Sequence, residues 1–267
     1  MDPKTYKKLS QIVHEKSGIA LGDRKQALVS ARVAKRIRRL GLETHEQYLT
    51  YLLEDSSGSE LVSFLDVIST NVTSFYRESK HFDFLSQVMT EWLEQGQSRF
   101  RFWCAAASTG EEPYTIAMTL REAVGNRQVD MRLLATDIST RVLDVCREGI
   151  YNAEKTKPVP RTLLDRYFTR MNGDGEKQFA AKDSLRRMIT FKRLNLSQPP
   201  FPMRGPLDIV FCRNVMIYFD NDVRRRLLAD IYRLVKPGGY LLVGHSESLT
   251  GLVSDFRLVE ASVYTKD

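Results

Sequence analysis

Three carboxylates, Glu111, Glu112 and Asp137, stand where an α/β chain would hold a ligand, and they restrict what that ligand can be. The stretch WCAAASTGEEPYTIAM, residues 103–118, reads as the end of a buried strand, a Ser-Thr-Gly turn, and a helix with Pro113 in its first turn. In nucleotide-binding proteins such a turn brings backbone N–H groups and a helix N-terminus up to phosphate. Two carboxylates at that place repel phosphate. The turn also has one glycine, Gly110, preceded by Ala105, Ala106 and Ala107, so NAD, FAD and ATP fit poorly. Asp137 follows Gly110 by 27 residues, near the distance at which an acidic side chain meets ribose hydroxyls. S-adenosylmethionine, with a ribose diol, an ammonium, a sulfonium and no phosphate, suits an acidic turn. Ser108 and Glu111 are also spaced as a capping box, which needs no ligand. With Asp137 on the next strand, the balance moves to the ligand.

The elements that must position these groups fall into two parts. Residues 1–90 read as helical. PKTYKKLSQIVHEKSG carries Tyr6, Leu9, Ile12 and Val13 at helical spacing and stops at Gly18. DRKQALVSARVAKRIRRLG begins with Asp23 as its cap and ends at Gly41. Its apolar stripe is Leu28, Val29, Val33, Ile37 and Leu40, and Arg32, Lys35, Arg36 and Arg39 share another face. THEQYLTYLLED and SELVSFLDVIST give two more helices. Residues 91–267 alternate strand and helix: RFRFWCAAA, PYTIAMTLREAV, MRLLATDIS, TRVLDVCREGIY, LDIVFCRN, DVRRRLLADIYRLV, YLLVGHSE, and FRLVEASVYTK as a closing strand. That pattern predicts an α/β fold, a doubly wound and mostly parallel sheet with ligands beyond the carboxyl ends of its strands. Asp137, Asn214, Glu111 and His245 fall at such ends. Residues 151–195 interrupt the alternation and predict a small insert of short antiparallel strands, FAAKDSLRRMITFKRLNL among them.

Composition narrows the class. At 267 residues the chain exceeds one small core. Cys104, Cys146 and Cys212 are scattered and set in apolar surroundings, and the four histidines are isolated, which predicts a reducing compartment and no metal site. No run approaches a membrane span and no signal segment is visible, so a cytoplasmic protein is expected. Residues 1–41 carry 11 Lys/Arg against 3 Asp/Glu, whereas the remainder carries 29 against 30. The basic character therefore belongs to the first helices and predicts an acidic partner for them.

In chain order, ISTNVTSFYRE, AAASTGEEPYTIAM, ATDIS, IVFCRNVMIYF, VKPGGYLLVGHSE and the closing VYTKD resemble the chemotaxis receptor methyltransferases, the CheR family, from about residue 5 to the C-terminus. The resemblance implies a protein-glutamate O-methyltransferase. It would pair an N-terminal helical domain with a Rossmann-like S-adenosylmethionine fold carrying a small β-subdomain. It also implies cofactor contacts at Asn71, Thr73, Arg77, Glu111, Asp137, Asn195, Leu196, Arg213 and Asn214. Asp137 can accept from both ribose hydroxyls, Asn195 can face an adenine edge, and Arg77 can pair with a carboxylate. The implied partner is the cytoplasmic domain of a methyl-accepting chemoreceptor, met by Arg32, Lys35, Arg36 and Arg39. Some members grip a receptor tail peptide through a glycine-rich loop of the β-subdomain. Here that region reads RMNGDGEKQF, with Gly173 and Gly175 at a spacing that departs from the family's.

Methylating a carboxylate needs no general base, because a glutamate with a pKa of about 4.3 is already ionised at neutral pH. The lack of a His-carboxylate pair accords with that. Tyr218, four residues past Asn214, is the side chain expected to line the approach of the substrate, or else a core aromatic beside Phe219. Two rival readings stay open at this point: a nucleic-acid methyltransferase, and a binding module that does not catalyse. The basic face lacks interleaved aromatics for base stacking, and the Asn-Pro-Pro-Tyr string of amino-group methylation is absent.

Overall fold

The computed structural model describes residues 1–22, 25–172, 177–249, 251–252 and 254–267. The expected cap Asp23 and the glycines Gly173 and Gly175 lie outside the described residues. Helix α1 (Pro3–Ser17) is capped by Asp2, whose Oδ1 accepts from the N–H groups of Lys4 and Thr5. It ends at Gly18 in the left-handed region. Helix α2 (Gln26–Leu40) ends likewise at Gly41, α3 (His45–Glu54) opens on a Thr44–Gln47 capping box, and α4 (Ser59–Ile68) completes the set. Leu9, Val13, Val33, Tyr48 and Phe64 meet as their common core. Leu28, read from sequence as part of the apolar stripe, is instead 47% exposed.

Helix α5 (Lys80–Glu94) joins a different core. Phe82, Leu85, Val88 and Met89 pack with Phe100, Phe102, Ile116 and Leu120 against the sheet, so this helix covers the sheet and takes no part in the helical core. The sheet begins with β1 (Arg99–Cys104), α6 (Glu111–Val124), β2 (Asp130–Asp137) and α7 (Thr140–Glu148). An insert follows: β3 (Ile150–Asn152), α8 (Ala153–Thr156), α9 (Arg161–Tyr167), β4 (Phe168–Asn172), β5 (Lys177–Ala181) and α10 (Asp183–Arg186). Its strands form a separate antiparallel sheet, β3-β5-β4. The chain then returns through β6 (Ile189–Arg193), β7 (Leu207–Cys212), a 3-10 turn at Met216–Tyr218, α11 (Asn221–Leu234), β8 (Val235–Val243), β9 (Arg257–Glu260) and β10 (Val263–Thr265).

The main sheet runs β6-β2-β1-β7-β8-β10-β9, with the first five strands parallel. Two expectations change. Residues 189–193 pair parallel to β2, not as a further antiparallel strand of the insert, because Leu133–Asp137 offers an open edge in register with them. The closing segment is two antiparallel strands, since Ser262 turns the chain at a φ of 65°. From β1 the chain winds outward to β2 and β6, then crosses back to β7 and β8. The crevice at that switch point, beyond β1 and β7, is where a doubly wound sheet holds its ligand.

Candidate active site

A cleft opens at this switch point, lined by the carboxyl ends of β1, β2 and β7 and by residues of the helical part. Its lining includes Asn71, Thr73, Arg77, Asp137, Asn195, Leu196, Arg213, Asn214 and Tyr218, which the sequence had scattered over 148 positions. Lys25, Leu28 and Arg32 of the helical part also line it. No histidine lines it among the described residues.

Asp137 ends β2, 9% exposed. Its Oδ2 accepts from the N–H of Ser108 at 2.9 Å and its Oδ1 from that of Ser139 at 3.0 Å. Burial nonetheless pushes its pKa up to about 6, against the pull of those hydrogen bonds. The capping-box alternative is not realised. Ser108 adopts a φ of 49°, its hydroxyl has no partner, and Gly110 (φ 101°) is the residue that starts α6. The orphaned Ser108 hydroxyl beside Asp137 in the cleft suits a ligand that carries its own hydroxyls.

The two glutamates of the turn part company. Glu111 is 1% exposed but is absent from the cleft lining. It accepts from Lys155 Nζ of α8 and from Thr109 Oγ1, both at 2.6 Å, while the Tyr151 hydroxyl donates to the carbonyl of Thr109 at 2.9 Å. The expected cofactor ligand thus ties the turn to the insert, because Lys155 of α8 reaches its carboxylate. Glu112, one residue on, is the carboxylate that lines the cleft. Arg213 Nη1 donates to its Oε2 at 2.9 Å, and burial raises the Glu112 pKa against that charge.

Arg213 is 3% exposed and lies between two acids, since its Nη2 also donates to Glu78 Oε2 at 3.0 Å. Asn214 Nδ2 donates to Glu78 Oε1 at 3.2 Å. Burial pushes Glu78 up, but these hydrogen bonds carry its pKa below the ordinary value. Asn214 itself holds a φ of 56°, fixed from beneath by Glu247, which accepts from the N–H groups of Asn214 (2.5 Å), Gly244 (2.8 Å) and Ile217 (3.1 Å). Reasoning from the sequence missed Glu78 and Glu247. The available signal was an acid next to Arg77, and another four residues past the end of β8.

Asn195 lines the cleft with its side chain already engaged: Nδ2 donates to the carbonyl of Lys16 at 2.7 Å, and Oδ1 accepts from Ser197 N and Oγ. It therefore pins the end of α1 to the sheet, and the expected side-chain pairing with adenine is not prepared. Arg77 Nη1 donates to the carbonyl of Val72 at 2.9 Å, which curls the Asn71–Arg77 segment along the cleft. Leu196, buried, and Tyr218, half-buried, both line the cleft, the Tyr218 ring 5.4 Å from Lys25 Nζ. The basic face of α2 divides. Arg32 caps the end of α4 through the carbonyls of Ile68 and Ser69, and Arg36 pairs with the buried Glu60. Lys35 and Arg39 remain exposed.

Fold and phosphate-hostile turn together define the class, an S-adenosylmethionine-dependent methyltransferase. Residues 71–265 match the CheR methyltransferase SAM-binding domain, and residues 4–69 match the CheR methyltransferase all-alpha domain. The chain belongs to this family. It is 38% identical to the chemotaxis protein methyltransferase of Salmonella typhimurium over 97% of this chain and 88% of that one. The corresponding figures are 38%, 97% and 89% for the Escherichia coli protein, and 39%, 91% and 88% for that of Borreliella burgdorferi. No helix among the described residues is long and apolar enough to cross a membrane.

Proposed function

We propose that this methyltransferase esterifies glutamate side chains on the cytoplasmic domain of a chemoreceptor, and that the cleft described above is where it does so. One observation carries the reading: the same cleft is lined by the buried acids Glu112 and Asp137 and by the cations Lys25 and Arg77. The acids suit a cofactor with an ammonium, a sulfonium and a ribose diol. The cations suit an anionic acceptor arriving from solvent. When bound, S-adenosylmethionine supplies a methyl group activated by the sulfonium.

The work left to the chain is placement. Asp137 accepts from ribose hydroxyls, Asn71, Thr73, Leu196 and Asn214 shape the walls, and Arg213 holds Glu112 in line. Arg77 and Tyr218 face the mouth and orient the incoming carboxylate, whose proton is already lost at neutral pH. Neutralisation of an anion by a cation favours a dry cleft. The exposed Lys35 and Arg39 supply long-range attraction to an acidic receptor helix. The edges of the β3-β5-β4 sheet would accommodate a receptor tail peptide by strand addition. We assign the helical residues up to Ile68 to receptor recognition and the remainder to cofactor binding and transfer, all in the cytoplasm.

The experiment is transfer of labelled methyl to purified receptor cytoplasmic fragments. Methyl esters release methanol in mild alkali. Label that resists alkali, or label that passes to nucleic acid in place of receptor, overturns the reading.

A further inference from the structure

Next to Arg213, and outside the cleft lining, Glu78, His81 and His245 converge, with one ligand atom from each lying within 4.8 Å of the others. His81, in the first turn of α5, is 1% exposed, and neither of its ring nitrogens has a hydrogen-bond partner. Its Nδ1 sits 3.7 Å from Glu78 Oε2, too far for a hydrogen bond. His245, two residues past β8 and exposed, packs its ring edge-on against His81 with centroids 5.3 Å apart. A buried imidazole with no partner carries an uncompensated desolvation cost. Glu78 holds its carboxylate there from a left-handed backbone (φ 57°).

We propose that Glu78, His81 and His245 form a binding site for a divalent transition-metal ion of the zinc type. Ligand atoms bonded at about 2.0–2.2 Å to a tetrahedral ion lie about 3.3–3.5 Å apart, so Glu78 and His81 need to close by only a few tenths of an ångström. The exposed His245 ring has the freedom to supply the rest. Two imidazoles and one carboxylate select zinc, cobalt or copper over magnesium or calcium. Arg213 faces the same carboxylate and opposes a cation, which makes the site one of competition. Metal binding draws Glu78 away from Arg213 and Asn214, two residues of the cleft, so it weakens cofactor binding, and the cofactor weakens metal binding by the same factor. The site itself stands on geometry and does not depend on the assigned acceptor.

The test is titration of the full chain with Co2+, followed by visible absorption, and with Zn2+ by calorimetry, Mg2+ serving as the control. One tetrahedral Co2+ per chain and no Mg2+ binding are expected. His245→Ala and His245→Gln, checked for folding by thermal melting, should each weaken the site at least about tenfold. His14→Ala, at the other exposed histidine paired with a carboxylate (Asp220), should leave it unchanged. Saturating S-adenosylmethionine should raise the Zn2+ Kd, and Zn2+ should raise the cofactor Kd, by matching factors. Absence of a Co2+ spectrum at millimolar metal, or affinity unchanged in both His245 variants, overturns the proposal. A cofactor Kd unchanged by saturating Zn2+ overturns the coupling.

Discussion

Arg36 closes on Glu60 with both its Nε and Nη2, and Glu60, 2% exposed, also accepts from the Tyr48 hydroxyl at 2.8 Å. A side chain whose spacing placed it on a docking face is thus part of the internal bracing of the helical part. Arg36→Glu would set two carboxylates against each other in that site, at a cost of about 3–5 kcal/mol. A melting temperature lower by roughly 6–15 °C is expected, before any question of receptor binding. Lys35→Glu with Arg39→Glu should leave melting within about 0.5 kcal/mol of the parent and raise the receptor KM. High salt should erase the difference between that pair and the parent. Equal melting of the Arg36 and Lys35/Arg39 variants would contradict the division of the face.

Asp137 makes cofactor binding depend on pH. Its carboxylate form accepts the ribose hydroxyls, and burial sets its pKa at about 6. Cofactor affinity should be level above about pH 7 and fall by up to tenfold per unit below pH 6. The folded pKa lies above the ordinary carboxylate value of 3.8, so the stabilising contribution of this proton is full below that value and lost as pH rises through 6. Calorimetric titrations between pH 5 and pH 8 check the binding limb. Asp137→Ala should bind weakly with a flatter profile, and a flat profile in the parent chain would remove Asp137 from the site.

Gly244 leaves room for the loop that carries Asn214. A Cβ built there would stand 2.4 Å from Asn214 Nδ2 and 2.8 Å from Glu247 Oε2. Gly244→Ala should cost about 1–3 kcal/mol through displacement of those groups. Because Asn214 moves first, cofactor Kd should rise several-fold with the receptor KM little changed. A cofactor Kd equal to the parent's would show that the loop has slack.

Glu111 and Glu112 should respond differently to the same change. Glu112→Gln leaves the buried Arg213 with one charged partner, Glu78, in place of two, costing about 1–3 kcal/mol and weakening cofactor binding. Glu111→Gln faces Lys155, which is 45% exposed and can turn to water, so it should affect cofactor binding less. Paired melting and binding measurements on the two variants give the comparison. A larger loss of cofactor affinity at Glu111 would reverse the assignment.

The α/β alternation, the four opening helices, the cap at Gly18 and the phosphate-hostile turn were legible in the sequence, because periodicity, glycine and local charge are properties of neighbours along the chain. The acidic turn and Asp137 were enough to select the cofactor class. What the sequence could not assign was direction. Glu111 and Glu112 are adjacent, and only the helix rotation together with the arrival of Lys155 from the insert decides which one meets the cleft. Arg32 and Arg36 share a face with Lys35 and Arg39, yet α4 covers the first two, so their charges are spent on carbonyls and on Glu60. Residues 189–193 read as one more short strand, and the open edge of β2 made them part of the main sheet. Glu78, His81 and His245 come from positions 167 apart, and no local pattern joins them. Burial and partner choice are properties of the folded chain as a whole. They are what turns a correct inventory of residues into a site.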